Sequence, residues 1–218
     1  MFLSLKELDE FVDVKTEYLV DGLIPENGFV LMRGESGDGK SFIALELALK
    51  ISIGEKFLGR DTNGKSKVVW FITSESQKQH TSRRLQHSVK YNGYENKLNG
   101  LRFVFIENEE YSRLEIEKLG KEIRNAEQKP DLIIIDSLFT FVQEEKDVDF
   151  VNDKLKSFIN HYGVSFLVVE NCVCLDPPFG LSTVYVKKHD NDILIKSKDS
   201  ANLHAELIQF NNNECVLN

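Results

Sequence analysis

Five stretches of the chain read as strands: Phe29–Met32, Lys67–Ile72, Leu101–Ile106, Leu132–Ile135 and Val164–Val169. Most of them are apolar at consecutive positions, so both faces of the strand must be covered. Chains satisfy that demand with a parallel sheet packed between two layers of helices. The intervening segments supply the helices. Ser41 to Ile53 is densely apolar and stops at Gly54, as a helix closed by a glycine C-cap does. Ser112-Arg-Leu-Glu115 has capping-box spacing, after which Ile116, Leu119, Ile123 and Ala126 recur on one face up to Pro130. Val151, Leu155, Phe158 and Ile159 mark another amphipathic helix. The fold class expected is α/β, with a mainly parallel central sheet and helices on both faces. Beyond residue 182 the pattern changes. Thr183–Lys188 and Ile193–Lys198 flank a polar turn, and Leu203–Phe210 and Cys215–Leu217 flank Asn211-Asn-Asn213. These predict antiparallel hairpins over 183–218, on one edge of the sheet.

The 218 residues carry no repeat and no Pro/Gly/Ser-rich linker, so the reading is one domain spanning 1–218, with 1–24 as a lead-in. No apolar run approaches the roughly 18 residues of a membrane span, and the N-terminus turns charged too early for a secretory signal. The expected compartment is therefore the cytoplasm, with no membrane partner. Cys172, Cys174 and Cys215 form neither a disulfide framework nor a zinc site and are read as free thiols. A net charge of −8 disfavours nucleic-acid binding by bulk electrostatics. Basic loops lining the channel of a ring would still be compatible with it.

Between the first strand and the first long helix lies Gly34-Glu35-Ser36-Gly37-Asp38-Gly39-Lys40-Ser41, followed by Phe42. Its spacing, G-x-x-x-x-G-K-S, builds a cradle for phosphates. Glycines let main-chain N–H groups point inward, and the helix that follows adds its unpaired N–H groups and the positive end of its dipole. Lys40 would reach the β- and γ-phosphate oxygens of ATP and Ser41 would ligate Mg²⁺. A second Mg²⁺-holding group is expected at the end of a neighbouring strand, and Asp136 ends Leu132–Ile135. Glu75 follows the strand ending at Ile72, on the same rim, and is the candidate general base; an exposed loop glutamate is the alternative.

These residues resemble the RecA-like P-loop ATPases, most closely the branch of RepA-type hexameric replicative helicases. The resemblance rests on Tyr18 to Pro25, the cradle at 34–41, the strand leading to Glu75 and Pro130 to Asp136. It implies ATP and Mg²⁺ as cofactors, a homo-oligomeric ring (a hexamer in that branch) and single-stranded DNA as partner. It also implies that Asn171, at the end of Val168-Val-Glu170-Asn171, senses the γ-phosphate. The Lys196-Ser-Lys198 segment matches a Lys-x-Arg that reaches a neighbouring subunit's ATP, with lysine in place of arginine; a solvated strand end is the alternative. Glu170 departs from the pattern, since a carboxylate near a triphosphate needs an offsetting charge.

The DNA-contacting loops of that branch are poorly matched. Gln143–Asp147 is acidic, and Cys172–Ser182 contains no lysine or arginine. Phe139, Phe141 and Phe179 could stack on bases, though core packing is the ordinary role of such residues. Arg83, Arg84, His87 and Lys90 read as a solvated helix face. The leading expectation is an ATP-dependent DNA helicase or DNA-processing motor. An ATP-gated interaction module with slow or no hydrolysis is the alternative, and a small-molecule kinase would need a lid that the sequence lacks.

Overall fold

The computed structural model describes residues 17–95, 97–106, 112–137, 145–171, 182–189, 192–198 and 207–211. Strands β1 (Tyr18–Val20) and β2 (Ile24–Pro25) form a small antiparallel ribbon. The main sheet holds β3 (Phe29–Gly34), β4 (Val69–Ser74), β5 (Leu101–Ile106), β6 (Leu132–Asp136), β7 (Ser165–Asn171), β8 (Ser182–His189), β9 (Asp192–Lys198) and β10 (Leu207–Asn211), in the order β10-β9-β8-β3-β7-β6-β4-β5. From β8 to β5 every pairing is parallel, whereas β9 and β10 are antiparallel additions at one edge. The α/β class is thus as expected. The first hairpin expected over 183–218 is present as β8 and β9, paired antiparallel. Its first strand, β8, joins the parallel part of the sheet beside β3, so the antiparallel extension begins only at β9. The Cys215–Leu217 segment lies outside the described residues, as do all three cysteines.

Helices α1 (Lys40–Ile53), α2 (Lys78–Asn92), α3 (Ser112–Asn125) and α4 (Glu145–Tyr162) cover the two faces. The period-2 alternation of the strands sorts their apolar residues between two cores. Val30 and Met32 of β3, with Leu132 and Ile134 of β6, pack under Ile43 and Leu47 of α1. Phe29 and Leu31, with Ile133 and Ile135, pack against Leu119 of α3 and Leu155 of α4. The continuous apolar runs are therefore explained by burial on both sides. No helix among the described residues is long and apolar enough to cross a membrane.

This arrangement brings the C-terminal ends of β3, β6, β7 and β4 side by side on one rim. In parallel sheets with helical crossovers that rim is where loops converge and ligands bind.

Candidate functional site

The octapeptide forms the turn from β3 into α1. Gly37 and Gly39 have φ of 92° and 88°, left-handed values that a side chain would strain, and Gly39 is the N-cap of α1. Gly34 is needed for a different reason, because a Cβ there would sit 2.2 Å from the Val186 carbonyl oxygen of β8. Asp38 closes the turn from inside: its carboxylate accepts a hydrogen bond from the Glu35 N–H at 2.7 Å. Lys40 is 4% exposed, and its ammonium donates to the carbonyls of Gly34 at 2.9 Å and Glu35 at 2.6 Å. Its charge is thereby directed back over the loop. Phe42 is partly buried against the α1-side core.

Asp136 ends β6 on the face that carries α1, and the Asp136–Ser137 peptide bond is cis. Burial pushes its carboxyl above the ordinary range, while a hydrogen bond from Ser41 and the charges of Arg84 and Lys40 oppose that push. Ser41 and Asp136 are separated by most of a hundred residues of chain, and the sheet order brings them to the same rim. Thr73 of β4 is in register with Asp136, and its hydroxyl is buried without a hydrogen-bond partner among the described residues. The site therefore gathers oxygen donors from a serine, an aspartate and a threonine beside one buried ammonium.

Arg84 is exposed, as expected of a solvated helix face, and its charge also reaches the site. Helix α2 runs alongside α1, held by the Ser88 hydroxyl donating to Glu46 at 2.7 Å, and this parallel packing sets Arg84 at the level of the first turn of α1. Its charge acts on Asp136 from there. The available signal was its position three turns or fewer beyond Glu75, on a helix that had to return along the sheet next to α1.

For the remaining candidates the backbone alone is described. Glu75 opens a short 3-10 turn directly after β4, on the Asp136 rim. Asn171 pairs with Gly34 across β7 and β3, so the end of β7 adjoins the start of the cradle. Lys196 and Lys198 lie on β9, opposite Tyr185 and Thr183 of β8, two strands from β3 on the edge side. Phe139, Phe141 and Phe179 lie outside the described residues.

Glu170 is corrected by the structure. It is 3% exposed and accepts a hydrogen bond at 3.1 Å from Nε of Arg33, its register partner on β3. Both residues continue the strand rows that face α3 and α4, the side of the sheet away from α1. The offsetting charge is an arginine, and the pair locks two strands together behind the cradle.

A family model described as an AAA domain matches residues 5–170. The chain belongs to that AAA domain family. No curated protein matches the chain. The matched span of this AAA domain includes the cradle, Glu75, Arg84 and Asp136, and it ends before Asn171 and the β9 lysines. The chain is accordingly a nucleotide-binding P-loop ATPase.

Proposed function

We propose that this AAA domain is one RecA-like unit that hydrolyses ATP with Mg²⁺ and works in a homo-oligomeric ring, as a RepA-type DNA helicase or a related DNA-processing motor. The observation that carries the reading is the turn from β3 into α1, with its left-handed glycines and buried Lys40 ammonium, next to the oxygen donors Ser41 and Asp136. That donor set suits Mg²⁺, a hard ion that takes few protein oxygens and keeps several waters. Ser41 and Asp136 would hold it, and it would supply charge neutralisation at the phosphate oxygens.

The chain's own residues do the rest. Main-chain N–H groups of residues 34–42 hold the phosphates, and Lys40 leaves the Gly34 and Glu35 carbonyls to neutralise β- and γ-oxygens. Glu75 takes a proton from water as its oxygen bonds to the γ-phosphorus. The bond to the bridging oxygen breaks, and that electron pair leaves with ADP. Asn171 donates to a γ-phosphate oxygen. Lys196 or Lys198 of a neighbouring subunit adds a cation; in phosphoryl transfer such groups contribute about 10³–10⁵ in rate. A lysine is a point charge and not a planar fork, which argues for a slow motor.

One observation favours the ATP-gated interaction module as a second reading: the segments 143–147 and 172–182 offer little for a phosphate backbone, being acidic in one case and without lysine or arginine in the other. Unwinding of a forked duplex, ATP turnover with and without single-stranded DNA, and native mass in ATP separate the two. The motor reading expects unwinding, DNA-stimulated turnover and a ring. ATP binding without any response to DNA supports the module and ends the helicase reading.

A further inference from the structure

Among the described helices, α2 alone carries no aspartate or glutamate, yet it belongs to a chain of net charge −8. Its cations are Lys78, Arg83, Arg84 and Lys90. The inner face is accounted for by Thr81 and Val89, both buried, and by Ser88 bonded to Glu46 of α1. His80, Arg83, Arg84, His87, Lys90 and Tyr91 are all exposed. They recur at intervals of three or four, which on a helix forms a strip advancing about 5 Å per step. Arg83 and Lys90 have no ion-pair partner among the described residues.

Tyr91 is 56% exposed, and its ring lies parallel to that of His87, with centroids 6.3 Å apart and planes inclined by 6°. A flat ring pair set among exposed cations is the combination that single-stranded nucleic acid uses: ammonium and guanidinium groups for the phosphates, a π-face for a base. A bilayer would require a broader apolar face than one tyrosine. An acidic protein surface would use the cations but has no use for the stacked rings. Arg84, three residues before His87, leads the strip towards Asp136, so a strand bound here would begin beside the phosphate site.

We propose that the outer face of α2 is a binding surface for single-stranded nucleic acid, with Arg83 and Lys90 on the backbone and Tyr91 and His87 stacking a base. The proposal rests on the reading that the chain engages single-stranded DNA, and it moves that contact from the cation-poor loops to a helix.

The test measures fluorescence anisotropy of labelled oligothymidylate and of labelled oligouridylate over a salt series, with the full chain in ATP. Arg83→Glu/Lys90→Glu should weaken binding at least about tenfold and flatten the log–log salt dependence by about 1.4. Tyr91→Ala should cost about tenfold, and Tyr91→Phe should retain binding. Basal ATP turnover should be unchanged in all of them. Preference for the ribose oligomer over the deoxyribose one would identify the strand as RNA within the same proposal. If the wild-type chain binds neither oligomer, the DNA reading fails and this surface fails with it. If the wild type binds and the variants bind equally well, the DNA reading stands and the α2 assignment is overturned. Loss of self-association in the charge-reversed variant, with oligomer binding intact, would make the face a contact between copies and also overturn it.

Discussion

Removing Arg33 tests the claim that Glu170 serves the strand pairing and not the nucleotide. The pair joins β3 and β7 through a hydrogen bond at 3.1 Å, with side chains 17% and 5% exposed, and the second terminal nitrogen of the guanidinium is buried without a hydrogen-bond partner among the described residues. Arg33→Met leaves a nearly buried carboxylate with no compensating charge, which costs about 3–5 kcal/mol. For a chain of this size each kcal/mol lowers Tm by about 2–4 °C, so a fall on the order of 10 °C is expected. Glu170→Gln strands the more exposed member and should cost less, about 2 kcal/mol. Arg33→Met/Glu170→Met removes both charges from a site already lined by apolar strands. It should return to within about 1 kcal/mol of the wild type, because buried ion pairs replaced together are often neutral. The assay is urea unfolding of the four proteins as a double-mutant cycle, with ATP-analogue binding measured on each folded variant. Binding should be intact in the double variant. Single losses below about 1 kcal/mol, or a double variant carrying the sum of the single losses, would refute the argument.

Further expectations concern the cradle and the far end of α1. Lys40→Ala should abolish ATP binding, whereas Glu75→Gln should bind ATP and lose turnover, as read by titration calorimetry and phosphate release; equal loss of binding in both would show that Glu75 has been given the wrong role. Gly34→Ala forces the Val186 carbonyl of β8 away from a 2.2 Å approach and should cost about 1–3 kcal/mol, seen as a lowered Tm together with weakened nucleotide binding. Glu55 is acted on by burial, which raises its pKa, and by hydrogen bonds from Tyr94 and Lys50, which outweigh burial and leave it below the ordinary 4.5. Its contribution to stability is therefore complete above pH 4.5 and lost as pH falls through the lowered value, so Glu55→Gln should flatten the acid limb of a Tm–pH curve.

Local chemistry made the strands and the cradle readable. Leu132–Ile135 has to be buried on both faces, and the glycines with Lys40 and Ser41 specify the turn and its ligand without reference to the rest of the chain. Asp136 was legible because it terminates such a strand. What escaped depends on strand order, a long-range property. Arg33 and Glu170 are far apart in sequence and meet only because β3 lies between β7 and β8. The parallel entry of β8 had the same cause, since a short turn to β9 says nothing of its other neighbour. The reach of Arg84 to the site was missed because the relation between α1 and α2 is set by Glu46 and Ser88, residues that carry no mark of that pairing in the sequence.

Those same contacts have a mechanical consequence. Besides Glu46 and Ser88, the buried Lys50 ammonium donates to the Tyr94 hydroxyl at 2.7 Å and to Glu55 at 3.1 Å, and Tyr94 donates to Glu55. Sliding α2 by one turn against α1 would part the buried Glu46 carboxylate from Ser88 and the buried Tyr94 hydroxyl from Lys50 and Glu55, at a cost of about 1–3 kcal/mol for each buried group left unpaired. The two helices thus behave as a single stiff rod, pinned at mid-length and at its lower end. A pull applied to its outer flank is delivered to the top, where Ser41 and Arg84 stand beside Asp136.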